Sequence, residues 1–433
     1  MSELFRETEP TGLPRSAANA ASAGRESSIW RSRAFSLYFA SYSISLMGNT
    51  FHSIALNLWV LQTTGSAKLM SLVLITHLAA GMLFGSVAGT IADRADKRKL
   101  MWMSDLLRFV TVGLIAICIA VPGVPFAAII LLTALTAFVG VFRTPAFQAS
   151  LIEVVGKERV TQASSALTLS DNLIRIVGFA LGGMAVALLG GTVAIAIDAF
   201  AFLISGLLLF AAGRFPYAAD AESAASTERK RLSFKEDFTA GLRFVWGSPL
   251  TRAALILLPL LMFFFLSNFM LVQVMAVKVW KASPLVFGLL EACIPLGYII
   301  GSLFLLKFDR LLKRKGRWMM GAMAGMGPLF AAIALAGETL VALPLILIVG
   351  LLFSFCTTIV FILLRIGVES DMQGRVFGLF GAVTSVTPPV GLAVFSALSD
   401  EYGPSPIMLG SGIAMLALGI VALLTMRQLR EVT

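Results

Sequence analysis

Asp93-Arg94-Ala95-Asp96-Lys97-Arg98-Lys99 closes the second long apolar stretch of the chain, and Asp309-Arg310-Leu311-Leu312-Lys313-Arg314-Lys315 closes the eighth. From 93 to 309, each matching residue is displaced by 216 positions. Glu153 and Arg159, after the fourth stretch, recur at that same displacement as Glu369 and Arg375, after the tenth. Two independent polar signatures at one interval, about half the chain, imply two homologous halves.

The stretches themselves are long enough to cross about 30 Å of hydrocarbon as helices. They read as twelve spans, near 35–62, 69–91, 101–121, 125–147, 163–189, 192–213, 253–279, 285–306, 318–337, 342–364, 375–398 and 406–426. The expected fold class is an all-α membrane protein, with two pseudo-symmetric six-helix halves around a central cavity. Its parts are a cytosolic tail over 1–33, halves over 34–213 and 253–426, a central cytosolic loop over 214–252 and a short tail over 427–433. Amphipathic residues 234–246 of the central loop are expected to lie along the membrane surface. Composition agrees: residues of the AVILMFWYC set make up 58% of 433 and charged residues only 13%, too little charge for a soluble protein of this size.

Orientation follows from Lys and Arg. With the N-terminus inside, nearly all of the 34 basic residues fall on the cytosolic side. Lys68, Lys278 and Lys281 fall outside, and Arg108 and Arg175 fall within spans. Both termini are thus expected in the cytosol and the chain in the plasma membrane. The net charge of +10 then faces anionic lipid headgroups, with no nucleic acid implied. Three cysteines in apolar stretches fit neither a zinc site nor a redox pair.

Gly89-x-x-x-Asp93-Arg94-x-x-Lys97-Arg98-Lys99 resembles the loop signature between helices two and three of the major facilitator superfamily. The second copy is degenerate, with Leu305 in the place of Gly89. Thr64-Gly65-Ser66-Ala67, Ser104-Asp105-Leu106-Leu107-Arg108 and Gly374-Arg375-Val376-Phe377-Gly378 are most similar to its drug-efflux branch, which includes macrolide-efflux proteins and the enterobactin exporter. The resemblance implies secondary active transport by alternating access.

The same residues have a mechanical reading. Gly89 allows two helices to approach closely. Asp93, at a helix end, can pair with a neighbouring cation or cap another helix. Gly89, Asp93, Arg94, Lys97 and Arg98, with Asp309, Arg310 and Arg314, are therefore expected to form a conformational latch and not a substrate site.

Ionisable groups within spans are the second signal, because each is costly unless it is paired or faces the bundle interior. Asp105 and Arg108 are three apart, and Asp171 and Arg175 four apart, spacings that allow pairs on one helical face. Arg175 lies deeper and is a candidate for contact with a polar or anionic substrate. Asp198 and Glu291 have no basic residue within four positions. A carboxyl without a cation in an apolar site can bind and release a proton, so Glu291 and Asp198 are proton-coupling candidates, and His52 is a third. His77 carries less weight.

Asn49 and Asn57 flank His52 on helix one. Helix seven places Asn268 and Gln273 among Met262, Phe263, Phe264, Phe265, Phe269 and Met270, a surround suited to a broad apolar ligand. Asn49, Arg175, Asn268 and Gln273 are the substrate-cavity candidates. Gly178, Gly182 and Gly183 allow tight helix contact, and Pro388-Pro389 is expected to break or kink helix eleven.

Gly156-Lys157-Glu158 lacks the final position of a phosphate-binding loop, and no G-x-S-x-G elbow or paired-His metal spacing is present. No cofactor, metal or enzymatic activity is expected. The expected function is proton-driven efflux of an amphipathic small molecule by a monomer in membrane lipid. Lipid movement or solute uptake on the same fold, or a non-transporting membrane sensor, stays open.

Overall fold

The computed structural model describes residues 29–218, 234–308 and 314–426. Among these, twelve long helices follow in order: α1 (Arg33–Thr64), α2 (Ala67–Arg94), α3 (Lys97–Ala120), α4 (Phe126–Val155), α5 (Val160–Leu189), α6 (Gly191–Ala211), α7 (Pro249–Lys278), α8 (Pro284–Phe308), α9 (Lys315–Leu335), α10 (Thr339–Gly367), α11 (Ser370–Tyr402) and α12 (Pro404–Thr425). A helix over Phe234–Gly247 precedes α7, and Thr251 of α7 hydrogen-bonds the Val245 carbonyl at its end. The order is six helices, a link and six helices, as the repeat implies.

The chain turns sharply because its caps are local. Gly65 ends α1 in the left-handed region, at φ 62°, and Ser66 caps α2 by accepting from the Leu69 amide at 3.2 Å. Asp96 caps α3 by accepting from the Lys99 amide at 3.0 Å. In the Asp93–Lys99 signature it is therefore Asp96 that caps the following helix.

Eleven of the twelve are long and apolar enough to cross a membrane. The exception is α1, which has the length but is interrupted by Ser41, Ser45, Asn49, Thr50, His52 and Asn57. Proline does not break the helices it enters. Pro388 and Pro389 both lie within α11, which continues unbroken to Tyr402, so of the break or kink expected there the break does not occur. In a packed bundle, neighbouring groups can satisfy the backbone that proline frees.

The halves meet along two helix pairs, α2 with α11 and α5 with α8. The α5–α8 contact is backbone on backbone. A Cβ at Gly183 would stand 2.5 Å from the Pro284 carbonyl oxygen and 2.9 Å from Gly288 Cα, so only glycine fits there. The α2–α11 pair touches at one end only. Ser71 donates to Ser396 at 2.8 Å, and Asp400 accepts from Ser66 Oγ at 2.7 Å and from the amides of Ala67 and Lys68 at 2.8 and 3.0 Å. Lys278 Nζ joins the same carboxylate at 3.2 Å.

Toward the opposite end, which carries Arg94, Lys97 and Arg98, the pair opens. A Cβ at Gly81, Gly85 or Gly89 of α2, or at Gly374, Gly378 or Gly381 of α11, would meet no atom within 4 Å. The close approach expected at Gly89 is therefore absent from this conformation, because the halves are apart at this basic end. The bundle is closed at the Asp400 end and open at the basic end.

Candidate functional site

Two cavities adjoin one another at the boundary between the halves. The first, of about 370 Å³, is mostly apolar and lies between α1, α2, α5, α7, α8 and α11. Its polar wall is Asn49, His52, Asn57, His77, Gln273 and Glu291. The second, of about 460 Å³, is polar and belongs to the N-terminal half, with Tyr42, Arg108, Arg143, Asp171 and Arg175 on its wall. Asn49 and His77 line both, so the two cavities lie side by side at these residues.

The polar wall of α1 is positioned by its packing. A Cβ at Gly48 would collide with the Asp198 carboxylate and stand 2.8 Å from Ala201 Cβ, so α1 and α6 press together there. One turn on, His52 Nδ1 lies 3.3 Å from Asp198 Oδ2, with both residues buried. Neither forms an aligned hydrogen bond. Asp198, without a cation on its own helix, thus has an imidazole from α1 beside it. Asn57 donates to Gln273 Oε1 at 3.3 Å across the halves, and buried Glu291 on α8 lines the same cavity as Gln273. Glu291 therefore reaches the cavity.

Other sequence expectations are rearranged. Asp105 does not pair with Arg108 on its own helix. Its Oδ1 lies 2.7 Å from Arg143 Nε of α4, and Ser205 of α6 donates to its Oδ2 at 2.6 Å. Arg143, counted from sequence with the cytosolic residues, is only 8% exposed in the interior of α4. Arg108 instead donates to Asn49 Oδ1 at 2.7 Å and stacks over the Phe202 ring at 3.8 Å. The pair Asp171–Arg175 does form, at 2.9 Å, with Tyr42 donating to Asp171 at 2.9 Å.

On α7, Phe269, Met270 and Gln273 reach the cavity. Phe263 and Phe264 pack against Phe395, and Phe265 stacks on Phe353. Asn268, expected on the cavity wall, is fully buried toward α12, where Ser411 donates to its Oδ1 at 2.5 Å. It is a packing contact within the C-terminal half, since helical spacing turns it away from Gln273.

Of the latch residues, Lys97 Nζ meets buried Glu153 Oε1 at 2.6 Å, tying the start of α3 to the end of α4. Arg98 donates to the Phe210 carbonyl at the end of α6, at 3.1 Å. Arg314 is exposed before α9, and Asp309 and Arg310 lie outside the described residues. The sequence reading passed over Arg143 and gave little weight to His77. Both histidines of the chain nevertheless line the same cavity.

The chain is 27% identical to the multidrug efflux pump Tap of Mycolicibacterium fortuitum over 391 residues, 89% of this chain and 93% of that one. It is 22% identical to macrolide efflux protein A of Streptococcus pyogenes over 397 residues, covering 90% and 95%. Its fold matches a bacterial homologue of the iron transporter ferroportin, crystallised in an inward-facing state, with a TM-score of 0.70 at 14% identity, covering 90% of this chain and 98% of that one. The sequence profile of the Major Facilitator Superfamily matches residues 38–392. A polytopic helical bundle with a cavity on the boundary of its two halves, and that match over most of its length, make the chain a membrane transporter that belongs to the Major Facilitator Superfamily.

Proposed function

We propose that the chain exports an amphipathic small molecule by alternating access, driven by proton movement into the cell. The observation that carries this reading is the cavity between the halves, apolar over most of its wall yet bearing Glu291, His52 and His77, with Asp198 behind His52. An apolar wall suits an amphipathic body. Proton uptake there changes a buried charge, and buried charge is costly enough to bias which end of the bundle closes. The efflux relatives support the outward direction.

In this reading the protein is a monomer in the plasma membrane with both termini cytosolic, so the open basic end faces the cytosol and loads substrate. The latch belongs to the same cycle. Lys97–Glu153 and Arg98–Phe210 hold the N-terminal half rigid at that end. When the end closes, Gly89 gives α11 room to approach α2, and Asp93 and Arg94 come to the seam with Asp309, Arg310 and Arg314 of the other half.

Export of fluorescent amphipathic compounds from cells expressing the chain, with and without a protonophore, tests the reading. Protonophore-sensitive export that Asp93→Asn reduces is the expected result. Export indifferent to the protonophore would remove proton coupling. Full coupling in Glu291→Gln would clear Glu291 and leave the His52–Asp198 pair as the proton site.

A further inference from the structure

The polar cavity presents three arginines, and two are already matched by carboxylates. Arg143 faces Asp105 at 2.7 Å, and Arg175 faces Asp171 at 2.9 Å. Arg108 has no carboxylate within ion-pair distance among the described residues. Its hydrogen-bonding side-chain partner is neutral Asn49, at 2.7 Å, and its Nε is buried with no hydrogen-bond partner. The carboxylates that act on it from farther away are Asp105, committed to Arg143, and Asp198, beside His52.

The surroundings leave room for a ligand at that guanidinium. Asn49 is held by its own Nδ2, which donates to the Ser45 carbonyl at 2.9 Å, so its oxygen stays turned to Arg108. On the α4 side stands Gly140, where an added Cβ would lie 3.7 Å from Arg108 Nε. Phe202 covers one face of the guanidinium at 3.8 Å. A buried guanidinium is stable when its donors are satisfied, and its planar fork matches a carboxylate or sulfonate. The apolar chamber joins this site at Asn49 and His77. Glu291 opens on that chamber, so an anionic group is favoured on the Arg108 side and an apolar body on the other.

We propose that the cavity takes an amphipathic organic anion, with its carboxylate or sulfonate on Arg108 and its apolar body against Leu74, Leu78, Phe179, Phe269 and Met270. This rests on the transport reading and names the charge class of its substrate. Asn49 acts as a positioning residue that holds the guanidinium toward the cavity.

The test uses the full chain in lipid nanodiscs and two probes that differ only in charge, dansyl-leucine and its carboxamide. A hydrogen-bonded charge at such a site gives the carboxylate an advantage of roughly tenfold or more in binding. Asn49→Asp puts a carboxylate of the same shape against Arg108 and should erase that advantage, so that the two probes bind alike. Arg108→Gln should erase it as well, and Arg108→Lys should keep part of it. Equal or tighter binding of the carboxamide, no binding of the carboxylate, or an advantage that survives Asn49→Asp would overturn the proposal. Flux in proteoliposomes separates the two readings. A carboxylate preference in binding without flux under any gradient sinks the transport reading and supports the anion site. Flux of the carboxamide as fast as that of the carboxylate does the reverse.

Discussion

Asn57 and Gln273 hydrogen-bond at 3.3 Å across the boundary between the halves, and they stand 216 positions apart. That is the interval which carries Asp93 to Asp309 and Glu153 to Glu369. A contact between two equivalent residues lies on the axis relating them, as it does in a two-fold dimer. Asn57 and Gln273 therefore mark the pseudo-symmetry axis on α1 and α7, at the level of Glu291. His52 and Asn268 are equivalent by the same interval, and each faces the last helix of its own half, Asp198 of α6 and Ser411 of α12.

A bond on the axis has to break when the Asp400 end opens. Asn57→Leu removes it. A net hydrogen bond is worth about 1 kcal/mol, so the balance between the two states should move about fivefold toward opening at that end. Spin labels at exposed Thr63 and Glu401, on opposite halves, would report the change as a longer distance. An unchanged distance distribution would show that the bond does not bias the two states.

Asp400 closes the same end more strongly. Its carboxylate accepts from Ser66 Oγ and from the Ala67 and Lys68 amides of α2, and meets Lys278 of α7. A carboxylate at a helix N-terminus also meets the positive end of the helix dipole. Asp400→Asn keeps the shape and removes the charge. The same label pair should separate more often than in Asn57→Leu, and transport should fall because the loading state is depleted.

Lys97 and Glu153 predict an asymmetry. Glu153 is the more buried partner. Lys97→Ala leaves its carboxylate without a counter-ion and should cost on the order of 2 kcal/mol. Glu153→Gln leaves a lysine long enough to reach water and should cost less. Thermal unfolding in detergent ranks the two, with the double variant closer to Glu153→Gln. Equal losses would mean that the pair is exposed enough to be worth little.

Two glycines should push the bundle in opposite directions. Gly183→Val drives a side chain into the Pro284 carbonyl and Gly288, an overpacking that costs about 1–3 kcal/mol in the closed Asp400 end. Gly89→Leu meets nothing in this conformation and obstructs only the state in which the basic end closes. Reaction of a cysteine introduced at Leu78 on the cavity wall with a membrane-impermeant thiol reagent, added on either side, should rise from opposite sides in the two variants.

How much of this was legible depended on whether the partners were near in sequence. The interval linking Lys97 to Lys313 and Glu153 to Glu369 was visible because it repeats, but not that Lys97 and Glu153 are partners of each other. Asp171 and Arg175 sit on one helix, and their pair was read from spacing. Asp105 chose Arg143 over Arg108 because α4 brings a guanidinium to 2.7 Å, and same-helix spacing carries no information about that. Arg143 falls inside the 125–147 span yet was counted with the cytosolic residues near its end, whereas α4 runs on past it to Val155. An aromatic and Met-rich surround does not place Asn268 on the cavity wall, because three neighbouring phenylalanines pack on other helices instead.

The polarity of α1 bears on how the protein is made. Of the twelve helices it is made first, and its serines, asparagines and histidine make it the poorest candidate among them for partitioning into lipid unaided. Partners that shelter its polar groups, Asp198 on α6 beside His52 and Gly178 on α5 beside Thr50, are synthesised more than a hundred residues later. The segment that shapes the cavity is thus the one whose residence in the bilayer waits on the rest of its half, so lesions at Gly48 or Gly178 should be felt during biogenesis before any substrate is moved.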